Sequence, residues 1–250
     1  MRDDSLTNSN RANFGIDGPL VLRNLILIGI GAIIIGVVAH FQLLPVRQSI
    51  ASLLTKLGLC LAIFNLSCIT LSIWSSKIGK IRETERILDT YGWRDDEKVL
   101  DVGCGSGLML ISVAKRLTTG KAFGMDIWDS RDQSNNHPEN TLNNARVEGV
   151  QDKIEIKDGD ARQLPFENNT FDVVVSSKVL HNIIEHNKRE EAVHEIGRVL
   201  KPGGWVGVID SFQYAGIFKK MGWENIHASG MRLKMFPPVK WTTGKKPINE

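Results

Sequence analysis

Two long runs without a fixed charge constrain this chain more than any other feature. From Asn24 to Val46 no residue carries a fixed charge, Leu25–Leu44 is almost wholly aliphatic, and Leu57–Ser76 repeats the pattern. As helices, roughly twenty residues span about 30 Å, the thickness of a bilayer's hydrocarbon core. The linker Pro45–Lys56 carries a proline and only Arg47 and Lys56 as charges. It is too short for a domain, so the sequence predicts antiparallel membrane helices joined by a tight loop. A signal peptide fits poorly, because a polar, mixed-charge segment precedes the first run and a second run comes after it. Arg2, Arg11 and Arg23 stand before the first run, and Lys77, Lys80, Arg82 and Arg86 stand after the second. That small excess over the loop puts both termini, and anything attached to them, on the cytoplasmic side. Gly29, Ala32, Gly36 and His40 share one helical face, as do Gly58, Ala62 and Asn65, which suits close small-residue packing. His40 and Asn65 read first as packing or interfacial residues and only second as functional ones.

The remaining length is enough for one α/β domain. The chain has 250 residues and a formal net charge of +3, with Lys and Arg scattered rather than massed, so no polyanion or nucleic-acid partner is expected. Cys60, Cys68 and Cys104 lack metal-ligand spacing, so neither a metal site nor a disulfide framework is expected. The implied organisation is a polar tail at 1–23, a transmembrane hairpin at 24–76, a charged connector helix at 77–97 and a catalytic-type domain at 98–250.

Past the connector, short β-branched runs alternate with amphipathic ones. Strands are predicted near Val99–Val102, Ala122–Asp126, Ile154–Lys157, Asp172–Ser176 and Trp205–Asp210, with helices near Leu108–Leu117, Pro138–Glu148 and Arg189–Leu200. This alternation predicts a parallel sheet covered by helices on both faces, with ligands bound at the carboxyl ends of the strands. There the sequence places "VLDVGCGSG", a glycine turn leading from a strand into a helix. A dinucleotide fingerprint asks for glycines at the first, third and sixth positions. Counting from Gly103, the sixth position is Leu108, and the third glycine falls at Gly107. Asp101, two places before the first glycine, would accept from a cationic ligand and repel a pyrophosphate.

At these residues the chain resembles the class I S-adenosyl-L-methionine (SAM) dependent methyltransferases, from about Lys80 to the C-terminus, in their small-molecule and lipid-type branch. "VLDVGCGSG", "GMDIW", "GDARQLPF", "FDVVVSSKVLHNI" and "RVLKPGGWVGVID" occur in the family's order. The resemblance implies a Rossmann-like, seven-stranded mixed sheet, in which the closing segment from Gly222 supplies a reversed hairpin. It implies that Asp101 meets the methionine amino group while Gly103, Gly105 and Gly107 let the backbone approach SAM. By the same resemblance Asp126 binds the ribose, Ile127 or Trp128 packs on the adenine, and Asp160 and Ala161 meet its edge. Cys104 in the turn and Ser176 at the fourth strand complete the implied cofactor set.

Methyl transfer from a sulfonium is an in-line displacement, so a base is needed only if the acceptor must lose a proton. His181, just past the fourth strand, is the best-placed candidate, with a buried or surface histidine as the equal alternative. The polar stretch Asp129–Asn136 either connects elements or closes over the site. The acceptor expected is a small molecule or lipid, favoured by the hairpin, which brings the domain to a membrane surface. A nicotinamide-dependent oxidoreductase and a membrane-tethered SAM-binding module without turnover remain as alternatives.

Overall fold

The computed structural model describes residues 11–43, 45–134 and 136–248. Arg2 with the rest of residues 1–10 of the polar tail, Leu44 at the end of the first apolar run, and Asn135 of the polar stretch lie outside the described residues.

The apolar runs form α1 (Pro19–His40) and α2 (Gln48–Trp74). Pro19 opens α1 where its missing N–H costs nothing. Both helices are long and apolar enough to cross a membrane, and nearly all of their large aliphatic side chains face outward. The seam between them is built from small residues: Gly29, Ala32, Gly36 and Ala39 are buried against Ala51, Gly58, Asn65 and Cys68. A Cβ at Gly58 would meet the Ala32 carbonyl oxygen at 2.7 Å and Gly36 Cα at 3.0 Å, so the backbones touch here. His40, expected on that face, is exposed and packs edge-on to Phe41, with Ala39 in its place in the seam.

The second run does not end at the connector. A π-helical turn at Ser75–Gly79 carries α2 directly into α3 (Lys80–Leu88), making one helix of 41 residues. One extra residue in a turn rotates the remainder of the helix by about 100°. The buried face therefore passes from the hairpin seam to Lys80, Glu83, Thr84, Ile87 and Leu88, which meet the domain. Its root is fastened there: Phe236 N donates to Ser75 Oγ at 2.8 Å, and the fully buried Glu83 pairs with Arg232 at 2.9 Å.

The domain continues as β1 (Lys98–Val102), α4 (Leu108–Ala114), β2 (Lys121–Asp126), α5 (Pro138–Val147), β3 (Ile154–Asp158), β4 (Phe171–Ser177), α6 (His186–Val199), β5 (Leu200–Asp210), α7 (Ala215–Lys220), β6 (Glu224–Ala228) and β7 (Lys240–Lys245). The sheet order is β3-β2-β1-β4-β5-β7-β6, parallel except for the antiparallel β7. This is the seven-stranded mixed sheet expected, and α7 is an addition. Val99, Val173 and Val175 face the side covered by α3, α4 and α5, whereas Leu100, Val102 and Val174 face α6 and α7. Strand order reverses between β1 and β4, so their carboxyl ends open a crevice at the glycine turn. Asp172 lies at the opposite end of the sheet, accepting from Lys98 N.

Candidate functional site

A cavity of about 680 Å³ fills that crevice. Its floor is the glycine turn. Gly103, at φ +75°, lies so close to Val179 that a Cβ would fall 2.1 Å from Val179 Cγ2, and a Cβ at Gly105 would fall 2.7 Å from Gln133 Oε1. Two of the glycines are thus demanded by the protein's own packing as well as by room for a ligand. Gly107 does not line the cavity; it starts α4 against Thr141.

Asp101 lies beneath the turn, 1 % exposed, and neither carboxyl oxygen has a hydrogen-bond partner among the described residues. Burial, with the nearby Asp126 carboxylate adding to it, pushes its pKa up to about 8. An unpaired buried carboxyl is costly unless a cation or donor arrives. An ammonium beside a sulfonium, as the implied co-substrate would bring, fits this carboxyl. Burial, with Asp101 and Asp126 adding to it, also pushes the Cys104 thiol well above its ordinary range, so it lines the cavity as an uncharged wall.

Asp126, at the end of β2, is already engaged. Its Oδ2 accepts from Gly105 N at 2.8 Å, and its Oδ1 from Trp128 N at 2.7 Å and Asn136 Nδ2 at 3.2 Å. A carboxylate has about four acceptor positions, so a diol must share this one with the loop that holds it. Ile127 projects into the cavity, 62 % exposed, while Trp128 turns away to donate to Asp158. Ala161 lines the wall, and Asp160 beside it is clasped by the Arg162 guanidinium, which with the backbone N–H of Arg162 holds the carboxyl below its usual range. Ser176 does not reach the cavity: it is 1 % exposed and donates to the Val102 carbonyl within the sheet. Side chains alternate along a strand, and Ser177 takes the cavity-facing position.

Across the cavity, the turn after β4 carries Lys178, His181 and Asn182. His181 Nδ1 lies 3.1 Å from Asp210 Oδ1, close enough to pair but too oblique for a hydrogen bond, and the His181 backbone N–H donates to Asp210 Oδ2 at 3.1 Å. Asp210, 1 % exposed at the end of β5, therefore faces the Nδ1 edge and leaves Nε2 as the nitrogen free to meet a ligand. The strand motif "VGVID" contains this residue without revealing its partner.

The polar stretch is wall rather than mere connection. Arg131, Asp132, Gln133 and Asn136 line the cavity, and Gln133 Oε1 accepts from Ser106 N at 2.8 Å. The loop also grips the N-terminal tail: Ser134 N donates to Ile16 O at 3.0 Å, and Gly18 N to Asp132 O at 2.9 Å. The tail ends on Asp17, whose carboxylate bridges Lys80 Nζ at 2.9 Å and Lys178 Nζ at 3.0 Å. Burial opposes its charge, but the two ammonium groups outweigh burial and hold the carboxyl below its ordinary value. Lys80 directs its other donors to the Phe14 and Gly15 carbonyls. Nothing in local sequence pattern marks Asp17, since its partners lie more than sixty residues away. Above this cluster the cavity is walled by Val21 and Leu22 of α1, Ser72 of α2 and Phe236.

Comparison with known proteins agrees with this fold. Residues 100–208 match the family model described as a methyltransferase domain. A demethylmenaquinone methyltransferase of Lactobacillus johnsonii is 32% identical over 141 residues, 55% of this chain and 51% of that protein. One from Staphylococcus aureus is 32% identical over 139 residues, covering 55% and 53%. The chain spans about half the length of these curated relatives. Among solved structures, a SAM-dependent methyltransferase from Methanosarcina mazei superposes with TM-score 0.54 at 19% identity, covering 65% of this chain and 98% of that one. A geranyl diphosphate methyltransferase in complex with SAM gives 0.55 at 13%, covering 66% and 85%. A [4+2]-cyclase gives 0.58 at 18%, covering 70% and 84%, so the shared fold does not by itself fix the reaction.

Proposed function

Starting from a chain whose residues 100–208 match a methyltransferase-domain family model, we propose that the whole protein uses SAM to methylate a lipid-soluble acceptor at the cytoplasmic face of a membrane. The observation that carries this reading is the reach of the cavity. One wall holds Asp101, Asp126, Asp160 and Ala161, and the other is made by Val21, Leu22 and Ser72 at the root of the two apolar helices. Exposed Ile, Leu, Val and Phe side chains cover those helices, a surface that hydrocarbon solvates and water does not. Lys77, Lys80, Arg82 and Arg86 follow the second apolar run, and Arg11 and Arg23 precede the first, which favours both roots on the cytoplasmic side. The names of the relatives suggest a quinol of the demethylmenaquinone kind as the acceptor.

SAM, when bound, supplies a sulfonium methyl group activated for displacement. The chain's own work is then positional. Asp101 ionises toward the ligand's ammonium. Asp126 and Asp160 hold the nucleoside, with Ile127 and Ala161 closing on its ring. His181 takes a proton at Nε2 from an acceptor hydroxyl or acidic C–H as the methyl is transferred, and buried Asp210 orients the ring and balances the imidazolium charge. Asp132, Gln133 and Ser134, docked on the turn and the tail, limit water around the transferring group.

The test is an incubation of the purified full chain in nanodiscs with methyl-labelled SAM and a whole-cell extract, followed by partition of the product. Label in the lipid fraction is the expected result. Label in protein or in water-soluble metabolites would reduce the hairpin to a tether and overturn the lipid acceptor.

A further inference from the structure

A second hollow lies higher on the same helices. It has a volume of about 270 Å³ and is lined by Ile26, Gly29, Ile30 and Ile33 of α1 and by Ala62, Asn65, Leu66 and Ile69 of α2, among others. The hollow stands in helical register with the catalytic cavity. On α1 the cavity-lining Leu22 is followed by Ile26, Gly29 and Ile33 at steps of four, three and four; on α2 Ser72 is followed upward by Ile69, Asn65 and Ala62 at steps of three, four and three. Such steps keep every one of these positions on one face, so the two hollows lie in line along the α1–α2 seam, as a furrow. At its far end the furrow is shut, because the helices come into backbone contact at Gly36 and Gly58. From Leu22 to Ile33 it is about 16 Å long.

Resting on the function proposed above, we infer that this furrow is the tail subsite of the acceptor: a lipid with one long apolar chain lies along the seam while its polar end enters the cavity. The chemistry of the lining selects that occupant. Every side chain lining the upper hollow is aliphatic or glycine except Asn65, whose amide is turned back onto its own helix, Nδ2 donating to Leu61 O at 2.8 Å. No charge is offered to a headgroup in the furrow, whereas Asp17, Lys80 and Lys178 gather the polar groups at its mouth. A transmembrane helix from a partner would bury the furrow but would have no reason to open into the cavity at its lower end. A single chain attached to a reactive head has that reason.

The probe is a 1,4-naphthoquinol whose polyprenyl tail carries diazirines along its length, doped into phosphatidylethanolamine and phosphatidylglycerol nanodiscs that carry the full chain. After photolysis, mass spectrometry is expected to find the label on Ile26, Ile30, Ile33 and Ile69. Ile33→Trp fills the furrow from a half-exposed position and Gly29→Leu fills it from within, where an added Cβ would stand 3.4 Å from Asn65 Cβ. Each variant should cut seam labelling about tenfold and raise KM for the lipid acceptor with kcat retained. Ile34→Trp, on the outward face, should do neither. Label spread evenly over Leu27, Ile34 and Phe64 would show a chain merely bathing the helices and would overturn the inference, as would cross-links between two copies through the seam. The partition experiment separates the two proposals: lipid methylated with the seam unlabelled refutes the subsite alone, and seam labelled with no lipid methylated refutes the acceptor reading.

Discussion

Asp101 shows how one residue's environment forecasts its ligand. With its pKa pushed up to about 8, it holds a proton at pH 7 in the free protein that an unfolded chain would have released near pH 4. The folded state thus binds more protons between these values, so this residue's contribution to stability falls as pH rises from about 4 to 8. A cationic ligand reverses the preference and expels the proton. SAM affinity should therefore rise with pH up to about 8 and level off above it. Titration calorimetry at pH 7 in two buffers of different ionisation enthalpy should show proton release, lost in Asp101→Asn; identical heats for the native protein would refute the linkage. At His181 the expected result is kinetic. His181→Ala should lower kcat about a hundredfold at unchanged SAM affinity, and Asp210→Asn should fall in between because the ring loses its counter-charge. Full turnover by His181→Ala would return that residue to a packing role.

At the scale of elements, the sequence exposes what is periodic and hides what is paired at long range. Strands β1 to β5 and helices α4 to α6 are legible because burial follows local pattern: Val99 to Val102 are wholly buried in one central strand, and the glycine turn announces its own geometry. The reversed β6–β7 pair comes from the resemblance rather than from alternation. Illegible are the six-residue α7, too short for its period to register, and the π-turn, which has no compositional mark. Ser176 and Ser177 illustrate a finer limit, since neighbouring serines point to opposite faces and only the register with β1 and β5 decides which one meets the ligand. The π-turn itself is testable. A Cβ at Gly79 would sit 2.0 Å from the Lys234 carbonyl oxygen, which is backbone and cannot swing away. Gly79→Ala should cost about 1–3 kcal/mol by forcing the helix root off the β6–β7 connection. Thermal unfolding of the domain would measure this, and an unchanged midpoint would mean that the root is not seated there.

Over the whole molecule, the tail, hairpin and domain converge on Asp17. Its carboxylate joins Lys80, at the root of the long helix, to Lys178, on the turn that carries His181, and its backbone N–H donates to Ser76 Oγ at 3.2 Å. Removing one member of such a cluster costs more than the cluster is worth, because the partners keep their burial without their compensation. Asp17→Asn should therefore destabilise the protein by on the order of 3 kcal/mol. Lys178→Met added to Asp17→Asn should recover part of that loss, since it removes one of the two stranded charges while keeping the volume of the chain. The same pair of variants reports on coupling between the apolar hairpin and the candidate site. If Asp17 aligns the furrow's mouth with the methyl-transfer geometry, Asp17→Asn raises KM for the lipid acceptor and leaves SAM affinity intact, because Asp101, Asp126 and Asp160 are untouched. A loss of SAM affinity equal to the loss of acceptor affinity would instead show that the tail is needed to fold the glycine turn, through the Gln133 side chain that accepts from Ser106 and donates to Phe14 O at 3.1 Å.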